Sequence, residues 1–195
     1  MIDIDEYLVL LDEDGETREE LDREKYQREL FESYVLRNRE HLEERQELLY
    51  LYRNGHSLTG LKGLRKRLAA IDLGYFGRAY LKHYFVRSSP KFHEELDGIW
   101  TNGVLKGRNP YREAAEISRL DGSKSVVAAP RGHAKSTNFT FKDSLHAALY
   151  QYKHYIIILS DSSDQAEGFL TDIKTELEEN QDIHEDFGKQ QGKVW

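Results

Sequence analysis

The chain has 195 residues with 28 basic and 35 acidic side chains, a formal net charge of −7 and no cysteine, which excludes disulfides and thiolate metal sites. Charged residues make up 32% of it against 38% hydrophobic, and the mean hydropathy of −0.74 calls for much solvated helix beside a modest core. No apolar run approaches the roughly 20 residues of a membrane-spanning helix, and the acidic start, Met1 to Leu11, lacks the basic region of a secretory signal; a soluble, intracellular protein is expected.

Charge is laid out in blocks. Residues 1–52 hold 7 basic and 17 acidic side chains, residues 53–135 hold 16 and 7, and residues 136–195 hold 5 and 11. A basic middle between acidic ends either meets a phosphate backbone or pairs with its own acidic neighbours.

From Thr17 to Tyr52 there is no proline or glycine and the apolar residues are sparse, which predicts one long charged helix stopped by Asn54-Gly55. Leu58, Leu61, Leu64, Leu68, Ile71, Tyr75 and Phe76 recur at helical spacing, so Ser57 to Phe85 reads as a second helical arm, bent near Leu73 to Gly77 where glycines weaken it. Within it, Lys62, Arg65, Lys66 and Arg67 form the densest basic cluster, either a DNA-contacting patch or a solvated helix face. Residues 1–85 are thus expected as a helical region. Residues 86–122, punctuated by Pro90, Gly98, Asn102-Gly103, Gly107 and Asn109-Pro110, read as a loop-rich connector with a short helix around Phe92 to Asn102.

Beyond Gly122 the pattern becomes βαβα. Lys124 to Ala129 and His154 to Ser160 are apolar runs suited to parallel strands buried on both faces, and each precedes a helical pattern, Lys135 to Tyr150 and Asp164 to Glu179. Between the first strand and its helix lies Ala129-Pro130-Arg131-Gly132-His133-Ala134-Lys135-Ser136-Thr137. A strand, a tight turn, a lysine and a hydroxyl at a helix start are the parts of a phosphate-binding loop. In that reading Pro130 to Thr137 cradle the nucleotide, Lys135 neutralises phosphate charge and Ser136 ligates Mg²⁺. The usual pattern has glycine where this chain has Ala129 and Ala134, so the loop either uses ordinary backbone angles there or tolerates strain. Arg131 and Lys135 place two cations at a helix start, a cost that a bound anion relieves. His133 is read as a loop hydrogen-bonder without a catalytic role.

Arg131, Gly132, Ala134, Lys135 and Ser136 resemble the variant Walker A loop of tailed-phage terminase large subunits, which tolerate alanine before the lysine. Asp72-Leu73-Gly74-Tyr75-Phe76-Gly77-Arg78, His83-Tyr84-Phe85, Ser89-Pro90-Lys91-Phe92-His93 and Ile156 to Ser160 with Ser163-Asp164-Gln165-Ala166 extend the likeness over about residues 70 to 180. The resemblance implies an α/β protein in which a helical N-terminal region precedes the beginning of a RecA/ASCE-like P-loop NTPase domain over residues 123–195. It implies ATP and Mg²⁺ as cofactors, Lys135 and Arg131 as the catalytic cations, and ATP-driven movement of double-stranded DNA into a procapsid. The implied partners are a portal protein, a small terminase subunit and further copies in a ring, in the host cytoplasm rather than in the virion, with no membrane. An acidic pair to orient the attacking water is missing from 123–195; Asp161 is the only rival. The family's acidic strand and nuclease domain are expected beyond Trp195, and hydrolysis by these residues alone is expected to be weak. Two other readings stay open: a helicase-like P-loop ATPase, and a non-enzymatic helical interaction module.

Overall fold

In the computed structural model, which describes residues 18–37, 40–86, 89–104 and 124–190, the charged N-terminal segment folds back on itself. Helix α1, Arg18–Val35, and helix α2, Leu42–Arg53, replace the single helix expected over this stretch. The turn needs no glycine, because His41 takes the left-handed region at φ 53°. Arg45 then reaches back, donating from Nη1 to Tyr34 O at 2.8 Å and from Nε to Glu40 O at 2.9 Å. Carbonyls freed by the end of α1 thus find donors, as buried helix ends require. Doubling back also places Tyr52 of α2 5.1 Å from Phe31 of α1, ring centre to ring centre. A straight helix would leave both apolar faces in water. Asn54-Gly55 ends α2 as the sequence predicts, with Gly55 at φ 78°.

The second arm is likewise two helices, α3 (Leu64–Ile71) and α4 (Leu73–Tyr80). The break falls at Asp72, whose carboxylate accepts the Tyr75 N–H at 2.9 Å and so caps α4. Gly77 lies inside α4, and a Cβ there would stand 3.2 Å from both Lys142 Cδ and Phe85 Cδ2. It serves close packing rather than bending. Helix α5 spans Lys91–Val104.

After the candidate loop, Ser136–Asp143 winds as a π-helix and continues into α6, Ser144–Leu149. Helix α7, Ser163–Glu179, is capped by Ser162 Oγ, and α8, Gln181–Phe187, by Asn180 Oδ1, each accepting a backbone N–H three residues on. One hydrophobic core joins these pieces: Phe31, Leu48, Leu68, Phe76, Leu145 and Ile183 are all buried in it. It therefore draws on residues from both sides of the 86–122 connector, of which 87–88 and 105–122 lie outside the described residues.

The described chain is helical, and among the described residues there is no strand. The parallel sheet expected at Lys124 to Ala129 and His154 to Ser160 is not seen. Both runs are free of helix, yet no ladder joins them. Side chains of the second run alternate: Ile156 and Ile158 pack against the core, while Tyr155, Ile157 and Leu159 are exposed, Leu159 at 89%. Val126 in the first run is 98% exposed. These are residues with strand character, but strand formation depends on neighbouring backbone as well as on local composition.

No helix among the described residues is long and apolar enough to cross a membrane.

Candidate nucleotide site

The loop turns through two left-handed residues, Gly132 at φ 80° and Ala134 at φ 52°. Gly132 meets nothing within 4 Å of the position its Cβ would take, so glycine is favoured there by backbone angle and not by crowding. Ala134 takes the strained alternative of the two that the sequence left open. An L-residue with a Cβ held there costs on the order of 1–2 kcal/mol. Asn138 holds it in place: its backbone N–H and its side-chain Nδ2 donate to Ala134 O at 2.9 and 3.1 Å, and the side chain is buried. Because Asn138 N closes the first helical bond, the amides just before it have no acceptor within their own helix. Such unpaired amides at a helix start, together with the helix dipole, favour an anion.

Around this turn, Pro130, Arg131, Gly132, His133, Ala134 and Ser136 are exposed, and Lys135 and Thr137 are half-buried. Pro130 to Ala134 form the turn, Lys135 to Thr137 begin the helix, and the two cations Arg131 and Lys135 flank Gly132 in sequence. His133 is a hydrogen-bonding loop residue, its Nδ1–H donating to Arg131 O at 3.1 Å. The tip is tied to α5, whose His93 Nε2–H donates to His133 O at 3.1 Å, while the Phe92 ring meets His133 edge-on at 5.8 Å. Beside the loop lies a cleft of about 440 Å³ lined by Trp100 and Val104 of α5, by Val127, by Lys135 and Ser136, and by Phe139.

Behind the cleft sits a buried charge cluster. Lys142, 2% exposed, ion-pairs with Asp97 of α5 and lies 3.6 Å from Asp143. Burial pushes the Asp143 carboxyl up to about 7, Lys142 opposing and Asp97 adding to the shift. Burial also lowers His146 to about 3, so it stays neutral, its Nε2–H donating to Ala69 O at 3.1 Å.

The Ser136 hydroxyl is exposed at the helix start, a position suited to an Mg²⁺ ligand. Among the described residues no group of three or more His, Cys, Asp or Glu side chains converges to hold a metal. Asp161 is exposed at the end of its run.

The basic cluster of α3 and its approach has a mostly internal role, and its reading as a DNA contact is corrected for Arg65. This side chain is 0% exposed, and its guanidinium donates to Asp186 Oδ2 at 2.6 Å, Asp182 Oδ1 at 2.9 Å and Glu185 Oε2 at 3.0 Å, all on α8. A phosphate backbone cannot reach it. Arg67 pairs with Glu44 and Glu47 of α2 at 2.6 and 3.0 Å. Lys66 Nζ lies 4.5 Å from the Phe187 ring centre, and burial lowers its pKa. Lys62 is exposed. Asp182 also takes Arg23 at 2.6 Å; burial opposes its charge, but Arg65 and Arg23 outweigh burial and hold its carboxyl below the usual range.

Sequence reasoning missed three contributors: Asn138, whose amide pins the left-handed alanine; His93, which holds the loop tip; and Trp100, which walls the cleft. For Asn138 a signal existed, a polar residue on the inward face of the helix. For the other two the signal lies in contacts more than 30 residues apart. Comparisons with protein-family models, with curated proteins and with solved structures found no match.

Proposed function

We propose that the chain binds a nucleoside triphosphate on the turn 129–137 and is the ATP-binding portion of a viral DNA-packaging motor, the start of a P-loop NTPase domain in a terminase large subunit. One observation carries the nucleotide reading: the residue immediately before Lys135-Ser136 is left-handed at φ 52° although it is alanine, at a helix start. That is the place where phosphate loops ordinarily use glycine. His41 and Gln151 are left-handed as well, but of these residues Ala134 alone is followed directly by a lysine and a hydroxyl at a helix start.

In this reading Lys135 and Arg131 neutralise the triphosphate charge, and the backbone N–H groups of Ala134 to Thr137 donate hydrogen bonds to its oxygens. Ser136 would hold Mg²⁺ through its hydroxyl, and the ion would supply further neutralisation of the phosphate charge. Hydrolysis is an in-line attack of water, driven by positioning and charge stabilisation. The assignment to a packaging motor, with double-stranded DNA, a portal, a small subunit and a ring of copies as partners, rests on the resemblance of residues 70 to 180.

Titration with a fluorescent ATP analogue tests the nucleotide reading. Binding should be weakened at least tenfold by Lys135→Ala and retained by Ala134→Gly, which restores the ordinary loop residue. Equal affinity in the parent and in Lys135→Ala, or no binding by the parent, returns the chain to the reading of a helical interaction module.

A further inference from the structure

We infer that the cleft beside the loop seats the nucleobase, with the Trp100 indole as its stacking surface and α5 as its outer wall; this rests on the nucleotide reading of Lys135 and Ser136. Contacts fix α5 against the loop and its helix. His93 donates to His133 O at the loop tip, Asp97 pairs with Lys142 of the loop's helix, and Trp100 and Val104 line the cleft together with Val127 and Phe139. Lys135 and Ser136 form one boundary of the same cleft. A ligand whose phosphates rest on those two residues and whose remainder enters the cleft therefore runs along α5 and meets the indole.

Chemistry narrows the ligand further. Among the described lining residues, those other than Lys135 and the hydroxyl-bearing Ser125, Ser136 and Thr140 have apolar or aromatic side chains or none, and about 440 Å³ is space for a base and its sugar. A flat, π-faced, weakly polar group suits an indole better than an acyl chain or a second anion does. The Trp100 Nε1–H is buried and has no hydrogen-bond partner among the described residues. That N–H lies in the ring plane and cannot reach a base stacked on the same ring, so the indole serves the base through its π-face. The polyphosphate end and the base end are thus served by different residues, Lys135 and Trp100.

This division gives the test. Affinities of the chain for ATP and for inorganic tripolyphosphate are measured by competition against the fluorescent analogue, in the parent, Trp100→Ala, Trp100→Phe and Lys135→Ala. Trp100→Ala should weaken ATP about tenfold, the scale of one base–aromatic stack, and leave tripolyphosphate unchanged; Trp100→Phe should keep ATP within about threefold of the parent, since it keeps a π-face. In a Trp195→Phe background, where Trp100 is the remaining tryptophan, ATP should quench indole fluorescence and tripolyphosphate should not. The base site is overturned if Trp100→Ala leaves ATP affinity intact, if it weakens both ligands alike, or if ATP and tripolyphosphate give the same fluorescence change. Lys135→Ala should lose both ligands. A parent that binds neither overturns the nucleotide reading itself, whereas a parent that binds both without a Trp100 effect removes only the base site.

Discussion

Arg65 Nε and Asp186 Oδ2 meet at 2.6 Å, from side chains that are both 0% exposed and stand 121 residues apart in sequence. Tyr80 Oη–H donates to the same carboxylate oxygen at 2.5 Å, and the Gly60 N–H donates to the other oxygen at 2.7 Å. Both carboxylate oxygens of Asp186 are thus engaged, and α8 is held to α3 and α4 by charge as well as by burial of Ile183 in the shared core.

Removing that carboxylate leaves a buried guanidinium with fewer partners. Asp186→Ala should lower stability by about 3 kcal/mol, near the lower end for a broken buried pair because Asp182 and Glu185 remain. Urea unfolding followed by circular dichroism measures it. By contrast Arg28→Ala, which removes only the exposed pair with Glu24, should change stability by under about 0.5 kcal/mol. Similar losses in the two variants would show that the α8 clamp is not a main support.

The left-handed alanine of the loop makes an unusual forecast, a glycine that stabilises. Ala134→Gly relieves the Cβ clash at φ 52° but loosens the unfolded chain, for a net gain of about 0.5–1 kcal/mol. Asn138→Ala should do the reverse, since it removes one of the two donors that fix Ala134 O. The shift of the urea midpoint at constant slope decides both.

Two buried groups oppose each other in acid. His146 is lowered to about 3 when folded, so between there and its unfolded value the unfolded chain holds the extra proton, and stability falls as pH falls. Asp143 is raised to about 7, so between its unfolded value and 7 the folded chain holds the extra proton, and stability rises as pH falls. From about pH 4 to 6.5 the two slopes nearly cancel. Asp143→Asn removes one of them. In that variant stability should climb with pH across this window by up to about 1.4 kcal/mol per unit, one proton's worth, against a nearly flat parent. Chemical denaturation at pH 4.5, 5.5 and 6.5 reads the difference, and parallel curves for the two proteins would contradict the assignment.

The uncovered apolar runs predict a split between neighbouring residues. Ile157→Lys, at an exposed position, should change stability by less than about 0.5 kcal/mol and reduce self-association in sedimentation velocity. Ile156→Lys, on the side packed against the core, should cost more than about 2 kcal/mol through loss of packing and burial of charge.

Local features were legible in the sequence and distant ones were not. The helix at 91–104, the helix at 163–179 and the stop at Asn54-Gly55 follow from spacing, caps and glycine, all of them effects within a few residues. The fold-back between α1 and α2 was not legible, because its turn is secured by Arg45 reaching Tyr34 O rather than by a glycine or proline. Arg65 looked like one member of a surface cluster, since its carboxylate partners lie 117 to 121 residues further on. Strand character at 124–129 and 154–160 was visible in composition, whereas a sheet needs backbone partners that composition does not supply. In the candidate site, the pattern named the turn and left two backbone outcomes for Ala134; Asn138 acts only four residues away, whereas His93 and Trp100 emerged only once α5 and the loop helix were seen together.

The α8 clamp also has a consequence for vectorial synthesis. While the chain is emerging from a ribosome, Arg65 is exposed to the tunnel mouth well before its main carboxylate has been translated, an interval of about 6 to 24 s at roughly 5–20 residues per second for the 121-residue separation. Throughout that interval the half-built helical bundle presents a charge it must later bury, which keeps it hydrated and discourages premature collapse. Closure around Arg65 is in this way timed by the arrival of α8.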